Sequence, residues 1–172
     1  MELTVKPIEI QTIYHYTFWG FERIWDCITQ LSDEQFIEEV NYSSGSIRNS
    51  VVHLMNSTRR WVKRLQEADI PPHFASDQFS TLTRTKQKWN ELRTEVMEYV
   101  NSLDENQLEQ TIHWELPARG MQMDNPRWEI LLHVANHATD HRAQILGMLH
   151  HYFNVRTVEQ DMLFYILERK QA

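Results

Sequence analysis

From Pro126 to about Tyr152 the chain keeps one helical pattern without a break, and that stretch constrains what the rest can fold into. Asp124-Asn125-Pro126 signals its start, a capping side chain followed by proline at a position that needs no N–H. At about 1.5 Å per residue the helix is roughly 40 Å long, beyond the usual globular length. Its apolar stripe runs through Leu131, Val134, Ala138, Ile145, Leu149 and Tyr152. A stripe that long is buried only against other long helices.

Three further segments qualify as partners. Ile10, Ile13, Tyr14, Thr17, Phe21, Ile24, Ile28 and Leu31 recur at helical steps between Pro7 and Leu31, and Ser32-Asp33-Glu34-Gln35 then reads as the cap of a short helical turn. A second helix is expected after Ser43-Ser44-Gly45-Ser46, running to about Glu67 with Ile47, Val51, Leu54, Thr58, Trp61 and Leu65 inward and ending at Asp69-Ile70-Pro71-Pro72. A third covers Ser80 to Leu103, with Leu82, Trp89, Leu92, Val96, Tyr99, Val100 and Leu103 inward. Periodicity lapses between Gln110 and Asn125, where Thr111–Leu116 reads as extended and Ala118-Arg119-Gly120 as a return turn. A short helix over Val158–Arg169 closes the chain. The expectation is an all-α, antiparallel four-helix bundle with short extra helices and one irregular, extended connection, forming a single domain over residues 1–172.

Charge and cysteine content exclude several classes. Twenty-four acids against 17 bases give a net charge of −7, and the densest basic run, Arg59-Arg60-Trp61-Val62-Lys63-Arg64, spreads around a helix. Nucleic acid is therefore not an expected partner. Cys27 is alone, which fits a reducing compartment. Met1-Glu2-Leu3-Thr4-Val5-Lys6-Pro7 has no signal-peptide layout, and no run approaches 18 apolar residues. A cytoplasmic location without membrane insertion is the expectation.

Nine histidines carry the chemistry. His15, His73 and His113 stand alone, and His150 and His151 fall at a helix C-terminus, where an imidazolium is favoured by the dipole. His133, His137 and His141 differ, because steps of four place them one turn apart on one face. Two imidazoles so spaced can converge on one ion. The zinc-protease reading fails, since Ala138, not glutamate, follows His137. On the helical wheel His141 lies closest to the apolar stripe, His137 one step outward and His133 further out. The inner pair looks into the bundle, whereas Asp140 points away from it. His53, between Ser50 and Ser57 on the second helix, is the best distant third donor. The spacing alone leaves a structural and a ligating role both open.

The run His133-Val134-Ala135-Asn136-His137-Ala138-Thr139-Asp140-His141-Arg142-Ala143-Gln144-Ile145 resembles the final-helix pattern of the DinB/YfiT-like metalloenzymes. Ser46-Ile47-Arg48-Asn49-Ser50-Val51-Val52-His53 is similar to their second-helix pattern, and Tyr16-Thr17-Phe18-Trp19 and Asp161-Met162-Leu163-Phe164-Tyr165 also look like family features. The one departure is Ala143, where the pattern has glycine. The resemblance implies a bundle of that type whose metal ligands are His53, His137 and His141, with His133 outside the ligand set. It implies one divalent ion, zinc first and nickel as the alternative, leaving a coordination position open. It further implies a transferase that joins a low-molecular-weight thiol such as bacillithiol to an electrophilic small molecule, with a metal-dependent hydrolase or a non-catalytic metal-binding protein as the alternatives. Arg48 and Arg142 then serve either to neutralise an acidic thiol or to form structural ion pairs. A small-molecule substrate and a second copy of the chain are the expected partners; no catalytic residue is assigned.

Overall fold

The computed structural model describes residues 5–171. Four long helices dominate: α1 (Pro7–Ile28), α3 (Ile47–Leu65), α4 (Leu82–Asn101) and α6 (Arg127–Phe153). Short helices α2 (Asp33–Ile37), α5 (Glu105–Glu109) and α7 (Met162–Gln171) accompany them, and β1 (Thr111–Leu116) pairs with β2 (Met121–Pro126) in an antiparallel hairpin. The chain is thus mostly helical with one small sheet. Among the described residues no helix is long and apolar enough to cross a membrane.

The local starts follow from side-chain capping. Ser46 Oγ accepts the Asn49 N–H at 3.0 Å and opens α3, while Ser32 and Gln35 cap each other's backbone at α2. Asp104 and Gln107 repeat that reciprocal cap at α5, which follows the third long helix as α2 follows the first. The expected cap of α6 is not formed. β2 runs on through Pro126, which faces Thr111, and the helix begins only at Arg127. Asn125 instead accepts Trp114 Nε1–H at 3.0 Å and donates to Glu129 Oε2 at 2.7 Å. A residue held in a strand is not free to cap the next helix; Pro126 closes the ladder because it brings no N–H to it. At the other end Asn154, with φ of +53°, stops α6 in the left-handed cap conformation. The terminal helix begins at Met162, four residues later than expected, behind an extended segment whose Asp161 Oδ1 accepts the Leu163 N–H.

Helix directions can be read from paired contacts. His53 meets His137 and His141, and eight residues on Trp61 meets His133, so α3 and α6 run in opposite senses. Trp25 lies by Lys86 and Phe18 by Arg93, so α1 and α4 also oppose. Tyr14 bonds Leu131 and Thr17 bonds Arg142, which requires α1 and α6 to run the same way. Lys63 pairs with Glu95 and Leu65 with Tyr99, so α3 and α4 are likewise codirectional. The expected all-antiparallel arrangement is therefore corrected: two of the four neighbouring pairs are parallel. The reason is the connection after α3. Pro71, Pro72 and Phe74 bond Arg60, Arg59 and Asn56 in turn, so this stretch retraces α3 and delivers the chain to the end from which α3 began. Prolines suit such a return because an extended strap needs no ladder N–H.

The core lies between these helices. Ile10, Tyr14, Phe21, Ile24, Trp25, Ile47, Leu54, Met55, Leu65, Val96, Leu131, Ile145 and Leu149 are almost wholly enclosed. Tyr152, expected inside, is exposed, and Trp61 and Tyr99 are only half-buried. Trp61 is diverted to cover the hairpin, where it meets Trp114 edge-on at 5.2 Å.

Candidate metal centre

The opposed α3 and α6 place one histidine from the first against two from the second. Nε2 of His137 and Nε2 of His141 are 3.1 Å apart, and the His53 ring centre lies 4.6 Å from that of His141 and 5.6 Å from that of His137. One donor nitrogen from each ring can be chosen so that all three fall within 4.8 Å of one another. Two imidazole arms of about 2.05 Å meeting tetrahedrally put their nitrogens about 3.3 Å apart, close to the His137–His141 spacing. His53 is exposed and completes the third side of the cluster.

The electrostatics favour neutral rings. Burial pushes His137 down to about 4, helped by His141, His53 and His133 and opposed by Asp140. Burial also lowers His141, with His53 adding to it and Asp140 working against it; Gln144 lies outside hydrogen-bond geometry and only nudges proton affinity upward. His53 is lowered by burial, then by His73 and Arg119. Crowded imidazoles that resist protonation keep their lone pairs for an electrophile such as a metal ion. His141 Nδ1 is buried without a hydrogen-bond partner, and Ser57 Oγ stands 3.5 Å from His53 Nε2. The donor set therefore fits a divalent ion of the zinc type.

The remaining histidines separate as their positions suggest. His133 points at Trp61 and does not join the cluster of three. His15, His73, His150 and His151 are exposed. His113 is exposed as well, with Nδ1 2.9 Å from Asp124 and Nε2 3.4 Å from Glu115. Those carboxylates engage opposite ring nitrogens, which is a clamp and not a chelating pocket.

Arg142 takes neither of the two roles expected of it. Arg142, one residue beyond His141, turns to α1 and is wholly buried. Its Nη1 donates to Thr17 O, its Nη2 to Thr139 Oγ1 and its Nε to Gln160 Oε1, and its guanidinium lies over the rings of Tyr16 and Phe21. It faces away from the histidines and pairs with no carboxylate among the described residues. A step of 100° per residue explains this: adjacent residues cannot share a face. Arg48 bonds its neighbour Asn49 Oδ1 at 3.2 Å. The groups that act on His53 after burial are His73, in the strap after α3, and Arg119, at the hairpin turn. Neither was identified from the sequence, because long-range placement leaves no periodic signal.

Comparison with known proteins gives a consistent picture. The model of the DinB family matches residues 1–152. Protein DinB of Bacillus subtilis (strain 168) is 26% identical over 142 residues, covering 80% of this chain and 82% of that one. A crystal structure of a DinB-like protein from Bacillus cereus ATCC 10987 superimposes with a TM-score of 0.59 at 15% identity, over 83% of this chain and 91% of the other. At that identity the likeness concerns the fold alone.

Proposed function

The chain belongs to the DinB family, and from that premise we propose that it is a metal-dependent transferase joining a low-molecular-weight thiol to an electrophilic small molecule. The observation that carries the reading is the convergence of three neutral imidazoles, His53, His137 and His141, within 4.8 Å. We read the four long helices as one bundle of the family type, and the three histidines as ligands of a zinc or nickel ion. When bound, the ion supplies a Lewis-acid position at which a thiol is held deprotonated at neutral pH.

The chain's own residues support this in three ways. His137 and His141, fixed one turn apart on a rigid helix, present lone pairs without first having to lose protons. Half-exposure of both, and the greater exposure of His53, leave one side open to a small molecule. Arg119, at the hairpin turn, brings positive charge toward that side, which suits an acidic thiol such as bacillithiol.

The test is a titration of cobalt-substituted protein with bacillithiol, glutathione and buffer, followed by absorption, with an electrophile panel run in parallel. A thiol-induced change of the cobalt spectrum together with conjugation is the expected result. Turnover with water alone would make the protein a hydrolase, and no spectral change with any thiol would remove the transferase reading.

A further inference from the structure

The hairpin has two unlike faces. In an antiparallel pair, directly opposed residues share a face. His113 with Asp124 and Glu115 with Gln122 therefore make a polar face. Ile112, Trp114 and Leu116, opposite Asn125, Met123 and Met121, make the other. Trp114 shows which way that second face turns, since its ring meets Trp61 of α3 at 5.2 Å, and Trp61 meets His133 of α6 at 5.5 Å.

The hairpin also lies at the right height. Its base is pinned to the start of α6, where Arg127 N–H bonds Gln110 O and Thr111 faces Pro126. From Thr111 to Leu116 the strand climbs about 16 Å. From Pro126 to His137 the helix climbs about 16 Å as well. Trp114 meets Trp61, which in turn meets His133, so the two climb in the same direction. By the same steps the Leu116–Met121 pair falls at about the height of His137.

Ordinary core packing does not account for this face. Ile112 is enclosed, as a core residue should be, but exposure then rises along the hairpin: Trp114 and Leu116 are half-buried, and Met121 and Met123 are 42% and 48% exposed. Two large apolar side chains are left with water on the face that turns toward Trp61. Methionine is suited to such a place, because its unbranched thioether moulds to apolar groups of varied shape.

We propose that the inner face of the hairpin, Trp114, Leu116, Met121 and Met123 with Trp61 behind it, is the substrate wall of the three-histidine site and takes an apolar or aromatic group on the molecule bound there. This rests on the reading of the histidines as metal ligands. It narrows the substrate to a molecule with a polar, metal-seeking end and an apolar body that lies along the hairpin.

The experiment uses two probes that share one metal-binding head, acetohydroxamate and benzohydroxamate, each titrated into the cobalt-loaded protein and followed by absorption. Benzohydroxamate should bind about tenfold tighter, the value of partly burying one phenyl ring. Met123→Ser, at an exposed position that folding does not need, should erase most of that preference and leave acetohydroxamate unchanged; Trp114→Ala should do the same, with circular dichroism verifying the fold. Equal affinity of the two probes, or a preference that survives both substitutions, overturns the wall while the metal site stands. A protein that takes up no cobalt overturns the metal reading and this inference with it.

Discussion

His141 and Arg142 are consecutive residues of α6, yet they serve opposite faces in opposite ways. The Arg142 face, against α1, is closed: the guanidinium is inaccessible and each of its three nitrogens has an acceptor. The His141 face, against α3, is unfinished. His137 and His141 are half-buried and His53 is exposed, three donor nitrogens lie within 4.8 Å of one another, and Nδ1 of His141 has no partner. Buried polar groups in proteins are nearly always paired, so this orphaned Nδ1, beside two Nε2 atoms 3.1 Å apart, sets the face apart from the other. Polarity in a core is therefore not by itself a functional signal. Arg142 follows a motif histidine, but it glues α6 to α1 and the segment beyond α6.

The largest effect separates the faces directly. His53→Ala, His137→Ala and His141→Ala should each weaken metal binding by more than the 10- to 100-fold expected for disturbing a ligand's outer partner. The wild type at 100 times the dissociation constant should gain about 2.7 kcal/mol of stability from the ion, and the three variants should gain none. His133→Ala should behave as wild type. Calorimetric titration with zinc reads all four. Retained stoichiometric binding in His141→Ala would break the comparison at its root.

The extent to which this was legible in the sequence follows the same divide. His53 joined the ligand set through the family resemblance, whereas four long helices, the caps at Ser32 and Ser46 and the four-residue histidine steps on α6 announce themselves through periodicity and spacing, which are local properties. The direction of the helices does not, because it depends on the strap over residues 66–81, whose path is set by hydrogen bonds to Asn56, Arg59 and Arg60. The strand through Asp124-Asn125-Pro126 was hidden behind a good capping sequence, since propensity cannot weigh the ladder that Thr111–Leu116 offers. The role of Arg142 needed the rotation of the helix against a particular neighbour. Spacing gave the candidates; only packing tells which of two adjacent polar residues is paired.

On the closed face, Arg142→Leu should cost about 3 kcal/mol or more. It strands the carbonyl of Thr17 and leaves Thr139 and Gln160 without their donor, each loss carrying about 1–3 kcal/mol where water cannot enter. Urea unfolding of the metal-free protein measures it, and zinc stoichiometry in the folded fraction should stay at one. A cost below 1 kcal/mol would show that the guanidinium is not what joins α6 to α1.

Gly20 sharpens the point by a smaller change. A Cβ there would stand 3.1 Å from the Arg142 guanidinium carbon. Within a helix, alanine is normally better than glycine by about 1 kcal/mol. Overpacking a tight contact costs about 1–3 kcal/mol. If the face is as closed as the distances say, Gly20→Ala destabilises despite the better propensity. A gain in stability would mean that Arg142 can swing aside, and the contrast with the open face would shrink. Gly147, with nothing within 4 Å of its added Cβ, is the control and should gain.

The smallest effect is a pH dependence belonging to the open face alone. In the folded protein His137 sits at about 4, against 6.5 unperturbed, chiefly through burial and then through His141, His53 and His133. His141 and His53 are displaced the same way. Between about pH 6.5 and pH 4 the unfolded chain therefore takes up protons that the folded chain refuses. Stability of the metal-free protein should be flat above that window and fall as pH drops through it. The rings are half-exposed, so solvent screening keeps the fall modest. His113 works in the opposite direction, since Asp124 and then Glu115 raise it, and its small contribution is lost as pH rises; His113→Asn removes that background. Melting temperatures of the metal-free protein at pH 7.5 and 5.0 give the comparison, with His137→Asn as the partner variant. That variant should lose less between the two pH values than the wild type does, whereas Arg142→Leu should keep the wild-type difference. An equal loss in wild type and His137→Asn would mean that the three imidazoles are not held neutral by their packing.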